Sequence, residues 1–223
     1  NFSPSVSTLR LLEEHGIPNL RHCPHGIDSE LFNPLYRSEE LRSRYVSGSE
    51  GIILLYVGRI APEKDLEVLM EAAGLLNRRG LEYKLLMVGD GPSRHKLEEL
   101  NIENILFLGY QRGQELYDLY ASADIFVFPS VTETFGNVVL EAMASGLPVV
   151  AALAGGVEDN LLPGQNGLAF KPGDAFDMAG QIELLMTRAE MRRTLARGAL
   201  EHARSRSWDE ILADFYHVLG GLL

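Results

Sequence analysis

Six short runs of apolar residues punctuate the chain: "GIILLYVG" from Gly51, "YKLLMVGDG" from Tyr83, "NILFLGY" from Asn104, "DIFVFPS" from Asp124, "PVVAAL" from Pro148 and "GLAF" from Gly167. They are rich in Val, Ile, Leu and Phe, and apolar along their whole length rather than at every second position. That is the pattern of a strand covered on both faces. Between them lie stretches with Leu, Ala and Glu at helical spacing and polar opposite faces. Strand and helix alternating in this way predict an α/β fold, a Rossmann-like doubly wound parallel sheet of about six strands with helices on both faces. Several runs end in a glycine or a turn: Gly58, Gly89, Gly109 and Pro129. In an open parallel sheet the ligand crevice lies beyond the carboxyl ends of the strands, so the chemistry is expected at those turns.

The flanks differ from this middle. A helical stretch, "SVSTLRLLEEHG", is followed by "LRHCPHGIDSELFNP", which Pro24, Gly26 and Pro34 punctuate. Residues 1–46 therefore read as the end of a preceding domain and a connecting hinge, residues 47–205 as the sheet domain, and residues 206–223 as a final amphipathic helix around Trp208 and "ILADFYHVL". A chain that opens at Asn1 in such a stretch is expected to be a piece of a longer protein.

Composition adds exclusions. At 223 residues the chain can bury a core without staples, and its 46% apolar and 23% charged residues are those of an ordinary folded protein. A net charge of -11 argues against nucleic acid or an anionic membrane as partner, so any phosphate must be held by a few local cations. One cysteine, Cys23, excludes an internal disulfide framework and fits a reducing compartment, with the cytoplasm expected. No apolar run is long enough to span a membrane.

Three turns carry candidate chemistry. In "YVGRIAPEKDLEVLMEA" a strand ends at Gly58, Arg59 follows, and Lys64 opens the next helix. A guanidinium fork with an ammonium is a usual grip on a diphosphate, although the same two cations could pair with Glu63 and Asp65 on a solvated face. In "VGDGP", Gly89 and Gly91 either let a backbone approach a ligand or simply make a tight turn; this is not the G-x-G-x-x-G fingerprint. In "SVTETFGNVVLEAMASGLPVV" a helix starting near Gly136 would present the free amides around Phe135, Asn137 and Val138 to an anion.

Two acids frame that last turn, Glu133 ahead of the helix and Glu141 one turn inside it. Carboxylates beside a phosphate are poor neighbours, so they are expected to accept from sugar or ribose hydroxyls. A favourable charge at a helix start for Glu133, and a solvated position for Glu141, are the plainer alternatives. Gly155 and Gly156 offer either further amides or an ordinary loop. "HCPH" lacks the second half-site of a zinc motif and is read as coincidence.

With these residues in view, the chain resembles the nucleotide-sugar-binding C-terminal half of retaining GT-B glycosyltransferases of the group 1 (family 4) type, the group that includes mannosyl- and sulfoquinovosyl-transferases. The likeness runs from about Ser3 to about Tyr216 and rests on "HGIDSELFNP", "YVGRIAPEKDLEVLMEA", "VGDGP", "LYASADIFVFPSVTETFGNVVLEAMASGLPVVA" and "GGVEDNLLPGQNGLAF" together. It implies a two-domain enzyme that moves a hexose from a UDP- or GDP-sugar to a glycan or lipid acceptor with retention and without a metal or other cofactor. In that likeness Arg59 and Lys64 match the diphosphate-binding pair, and Glu133 the acid at the hexose. Glu141 matches the acid on the ribose. The backbone from Thr134 through Phe135, Gly136 and Asn137 to Val138 would cover the sugar and phosphates, with Gly89 and Gly91 nearby, and Tyr110 and Gln111 near the base. Catalysis is expected from Glu133, Arg59 and Lys64.

The resemblance also implies an absent N-terminal acceptor-binding domain, through which any peripheral membrane contact would come. The isolated piece is expected to bind donor and to transfer poorly. The apolar face of the last helix would then be exposed or cover a neighbouring molecule. Rival expectations are a non-catalytic nucleotide-sugar-binding module, a nucleotide-sugar epimerase on the same architecture, and an NAD-dependent oxidoreductase, the last disfavoured by the missing fingerprint.

Overall fold

A computed structural model describes residues 1–48 and 51–220, so residues 49 and 50 and the last three positions of the expected C-terminal segment lie outside the described residues. In chain order the elements are β1 (Phe2–Ser3), α1 (Val6–Glu14), β2 (Arg21–His22), α2 (Glu39–Ser43), β3 (Ile52–Val57), α3 (Leu66–Arg78), β4 (Tyr83–Val88), α4 (Arg94–Glu99), β5 (Ile105–Gly109), α5 (Gln114–Ser122), β6 (Ile125–Phe128), α6 (Asn137–Ala144), β7 (Val149–Ala152), β8 (Gly167–Phe170), α7 (Ala175–Thr187), α8 (Ala189–Arg204) and α9 (Trp208–Gly220).

All six apolar runs form strands of one parallel sheet, in the order β5-β4-β3-β6-β7-β8. Every residue of β3, β6 and β7 is buried, which explains their unbroken apolar pattern: helices close both faces. α3 packs against α7, and α6 against α5 and α8. β5 is at an edge and half covered, so its apolar run overstates its burial. The strand order reverses between β3 and β6, where successive crossovers leave in opposite directions. In open sheets of this kind a ligand is met beyond the strand ends at such a point, and the turns that bound it here are those after β3 and β6.

The stretch read as a hinge divides in two. β1, α1 and β2 form a small unit whose two strands pair in parallel, Phe2 with Arg21 and Ser3 with His22. Residues 34–46 instead pack on the sheet domain. Arg42 on α2 is 2% exposed and donates to Asp124 Oδ2 at 2.8 Å and to the carbonyls of Ser122 and Gly51 at 2.7 Å each. A buried cation of this kind is tolerable because carboxylate and carbonyls surround it, and nothing in the sequence pattern singled it out. At the other end, α9 lies against the first unit, with Phe2 and Phe215 rings 5.0 Å apart, while Trp208 and Tyr216 stay exposed at 44% and 67%.

Candidate functional site

Lys64 does not open α3 as its position suggested. It ends a short 3-10 turn, Pro62–Lys64, after which Asp65 takes a left-handed φ of 50° and separates the turn from the helix. That kink turns the ammonium toward the β6 side, where Nζ donates to Glu133 Oε1. The pair is mostly shielded, the two side chains being 19% and 16% exposed. Ser130 Oγ donates to the same carboxylate oxygen at 2.9 Å, and Thr132 Oγ1 donates to the Glu63 carbonyl at 3.0 Å. The two turns flanking the switch point are therefore stitched together by side chains from both.

Arg59 is more open, 64% exposed, and pairs with Glu63 at 3.2 Å. This is the solvated pairing allowed for it above, and exposed pairs of this kind constrain a side chain little, which leaves the guanidinium free to exchange partners. Its carbonyl is fixed from below: the Tyr56 hydroxyl, rising from inside β3, donates to it at 2.9 Å. Burial and the nearby Glu133 and Glu63 push the Tyr56 phenol well above its ordinary value, so it stays a donor. One polar residue in the run "GIILLYVG" was the only sequence signal for this role.

The turn after β6 ends at Gly136, which caps α6 in the left-handed region at φ 80°. No side chain caps the helix, so the first-turn amides of Asn137 and Val138 are presented without a capping oxygen. An apolar wedge, Phe135, is 1% exposed and anchors the turn; its carbonyl accepts from Asn160 Nδ2 at 2.9 Å. Thr134 and Asn137 are exposed and Val138 half-buried. From the N-terminal segment Thr8 Oγ1 reaches the Thr134 carbonyl at 3.3 Å, and His25 Nδ1 lies 2.9 Å from Asn137 Oδ1. His22 sits instead 3.4 Å from Asp159, so the two histidines of "HCPH" face different partners. Among the described residues no cluster of His, Cys, Asp and Glu is placed to hold a metal ion.

Glu141 is half-buried and held through one carboxylate oxygen rather than standing on an open helix face. The fully buried Tyr120 of α5 donates to its Oε2 at 2.8 Å. Burial raises the Glu141 pKa, and the Tyr120 hydrogen bond partly opposes that rise.

The glycines serve protein packing. A Cβ on Gly89 would stand 1.9 Å from the Gly58 carbonyl oxygen, and one on Gly91 would stand 2.3 Å from that of Ile60. Their missing side chains let the turns after β3 and β4 touch, and the amide of Gly89 is taken by the Gly109 carbonyl at 2.8 Å. Likewise Gly156 packs on the turn after β6 and donates to the Glu133 carbonyl at 2.7 Å, so its amide supports the turn rather than facing a ligand. Tyr110 is exposed beyond the end of β5, and the Gln111 amide folds back onto the Leu108 carbonyl at 2.8 Å. Lys64, Glu133 and the turns carrying Arg59 and Gly136 thus converge; Tyr110 and Gln111 stand at the end of the edge strand.

The family model of the Glycosyl transferases group 1 matches residues 37–202 of this chain. The chain belongs to that family. This group 1 glycosyltransferase chain is 42% identical over 195 residues to the sulfoquinovosyl transferase of Arabidopsis thaliana, covering 85% of the chain and 37% of the plant protein. It is 35% identical over 225 residues to the GDP-mannose-dependent alpha-mannosyltransferase of Mycobacterium tuberculosis, covering 98% of the chain and 57% of that protein. It thus spans between a third and three fifths of these relatives.

Among solved structures, sucrose-phosphate synthase from Thermosynechococcus elongatus matches with a TM-score of 0.85 and 27% identity, over 100% of this chain and 58% of that one. Anabaena HepE, in complex with UDP and glucose, matches in fold with a TM-score of 0.87 at 24% identity, over 99% of this chain and 62% of that one. The fold is the GT-B half expected of the group 1 glycosyltransferases. The family match, not the sheet, weighs against an oxidoreductase reading.

Proposed function

We propose that this chain is the donor-binding half of a retaining hexosyltransferase, which moves a hexose from a UDP- or GDP-sugar to a glycan or lipid acceptor. The observation that carries the reading is the meeting, at the switch point of the sheet, of the Lys64–Glu133 pair, the loosely held Arg59 and the uncapped start of α6. Binding of UDP or UDP-glucose to Anabaena HepE supports it.

Each group has a physical task in this scheme. As the bond between the anomeric carbon and the diphosphate breaks, negative charge grows on the leaving phosphate, and preorganised Arg, Lys and amide donors stabilise that charge more than the ground state. Arg59 and Lys64 supply the cations, the amides of Asn137 and Val138 the dipoles. No metal is required by this division of labour. Glu133, held by Lys64 and Ser130, accepts from hexose hydroxyls, and Glu141 accepts from the ribose. In this reading Tyr110 and Gln111, at the end of the edge strand, face the base. The rest of the protein, beyond this chain, brings the acceptor and any contact with a membrane surface in a cytoplasmic setting, so this chain alone binds donor and turns over poorly.

Calorimetric titration with UDP, GDP, ADP and NAD, each beside its nucleoside where one exists, tests the reading. One nucleoside diphosphate binding in the micromolar range, with its nucleoside far weaker, is the expected result. Binding of NAD in preference to the diphosphates would refute it, as would robust sugar transfer by this chain alone for the part concerning the second half. Retention is tested on the longer protein by the anomeric configuration of its product.

A further inference from the structure

Tyr120 sits in a closed aromatic box. Phe32 meets its ring edge-on with centroids 5.5 Å apart, and Phe126 packs at 5.9 Å. The side chain has no exposed surface, and its hydroxyl donates to Glu141 Oε2 at 2.8 Å. A phenylalanine would fill the same box, so packing does not call for the hydroxyl. What the hydroxyl changes is Glu141. That residue stands on α6 between the buried Leu140 and Ala142, half-buried itself, one turn beyond Asn137. A carboxylate in such a place needs a donor to keep it ionised and in one orientation.

We propose that Tyr120 is a positioning residue for ribose recognition: by holding Oε2 it fixes the direction of the Glu141 carboxylate and leaves Oε1, with the remaining lone pairs, to accept both hydroxyls of a vicinal diol. The inference rests on the reading of Glu141 given under the proposed function. It extends that reading to a residue with no access to the ligand, and it predicts which part of the nucleotide feels the change. Loss of the hydroxyl should alter the response to the ribose hydroxyls and spare the phosphate contacts of Arg59 and Lys64.

The test titrates the chain and its Tyr120→Phe variant with UDP and GDP and with their 2′-deoxy and 3′-deoxy counterparts, and records thermal melting beside them. The unaltered chain should prefer the ribonucleotide by about tenfold or more, the scale of one charged hydrogen bond. Tyr120→Phe should shrink that preference to less than about threefold while affinity for the deoxy forms barely moves. A merely structural tyrosine would weaken all forms together and leave the ratio unchanged, which overturns the proposal. Tyr120→Met, a second variant without the hydroxyl, provides the same readout should the first not fold. Glu141→Gln separates the two levels. If it keeps the full ribose preference, the reading of Glu141 fails; if it loses the preference while Tyr120→Phe retains it, only the role of Tyr120 fails. Absence of binding by both UDP and GDP removes the donor reading and this inference with it.

Discussion

Replacing Gly156 by alanine probes how the turn after β6 is held. The glycine follows β7, and its amide donates to the Glu133 carbonyl at 2.7 Å. A Cβ there would lie 2.3 Å from the Phe135 nitrogen and 2.4 Å from the Thr134 carbonyl carbon, whereas ordinary contact begins at 3.4 Å. Both neighbours are backbone, so neither can swing aside as a long side chain would. Relief requires the two segments to part by about 1 Å, a displacement that in well-oriented sites costs up to about a hundredfold in function.

Overpacking of this kind costs about 1–3 kcal/mol, or about 2–4 °C of melting temperature for each kcal/mol in a chain of this size. Nucleoside diphosphate affinity should fall by about tenfold or more, because the start of α6, and Lys64 through its pair with Glu133, move with the turn. Calorimetry and thermal melting check both, with Gly180→Ala as control. That glycine lies inside α7 with open space around it, and alanine there should stabilise by about 0.5–1 kcal/mol. Unchanged melting and unchanged affinity in Gly156→Ala would refute the claim that this contact holds the site.

Arg59→Ala should weaken the nucleoside diphosphate by about 1.5–3 kcal/mol and the nucleoside hardly at all, with little loss of stability because its pair with Glu63 is exposed; calorimetry on both ligands and a melting curve decide. Because burial raises the Glu141 pKa above the ordinary carboxylate value, the folded chain protonates it at a higher pH than the unfolded chain does. The cost of its buried charge is absent below the ordinary carboxylate range and appears as pH rises through the raised value. Diol binding needs the ionised form, so the preference for UDP or GDP over the 2′-deoxy form should decline on acidification within that raised range and be flat in Glu141→Gln, read by titration at a series of pH values. Arg42→Met should cost about 3 kcal/mol in urea unfolding, since it removes the closer of the two cations on Asp124, leaving Arg37 at 3.4 Å, and strands the Ser122 and Gly51 carbonyls.

Much of this protein was open to reading in the sequence because burial on both faces leaves a local trace. Strands such as "GIILLYVG" and "DIFVFPS" must be apolar at every position, and the turns at their ends must hold whatever chemistry the sheet presents. The group 1 likeness rests largely on the same short stretches, and the family match over residues 37–202 covers all those quoted for it except "HGIDSELFNP". That Arg59, Lys64, Glu133 and the helix start each lie in a turn beyond a strand end was accessible for that reason.

Other features required contacts across the fold. Lys64 meets Glu133 across 69 positions and Tyr120 meets Glu141 across 21, and no local pattern encodes which distant partner a side chain faces. Gly89 and Gly91 read either as room for a ligand or as a tight turn, and a Cβ on them would meet the carbonyls of Gly58 and Ile60. Arg42, which no sequence pattern singled out, is 2% exposed under contacts with Asp124, Ser122 and Gly51. Sequence by itself determined the alternation of elements, hence the parallel sheet and the turns where a ligand would be met, because hydrophobic periodicity is a local consequence of burial. Tertiary structure alone decided the strand order that brings the β3 and β6 turns together, the hydrogen-bond partners that orient each charged group, and which glycines make space for protein rather than ligand, because those depend on approaches between segments far apart in the chain.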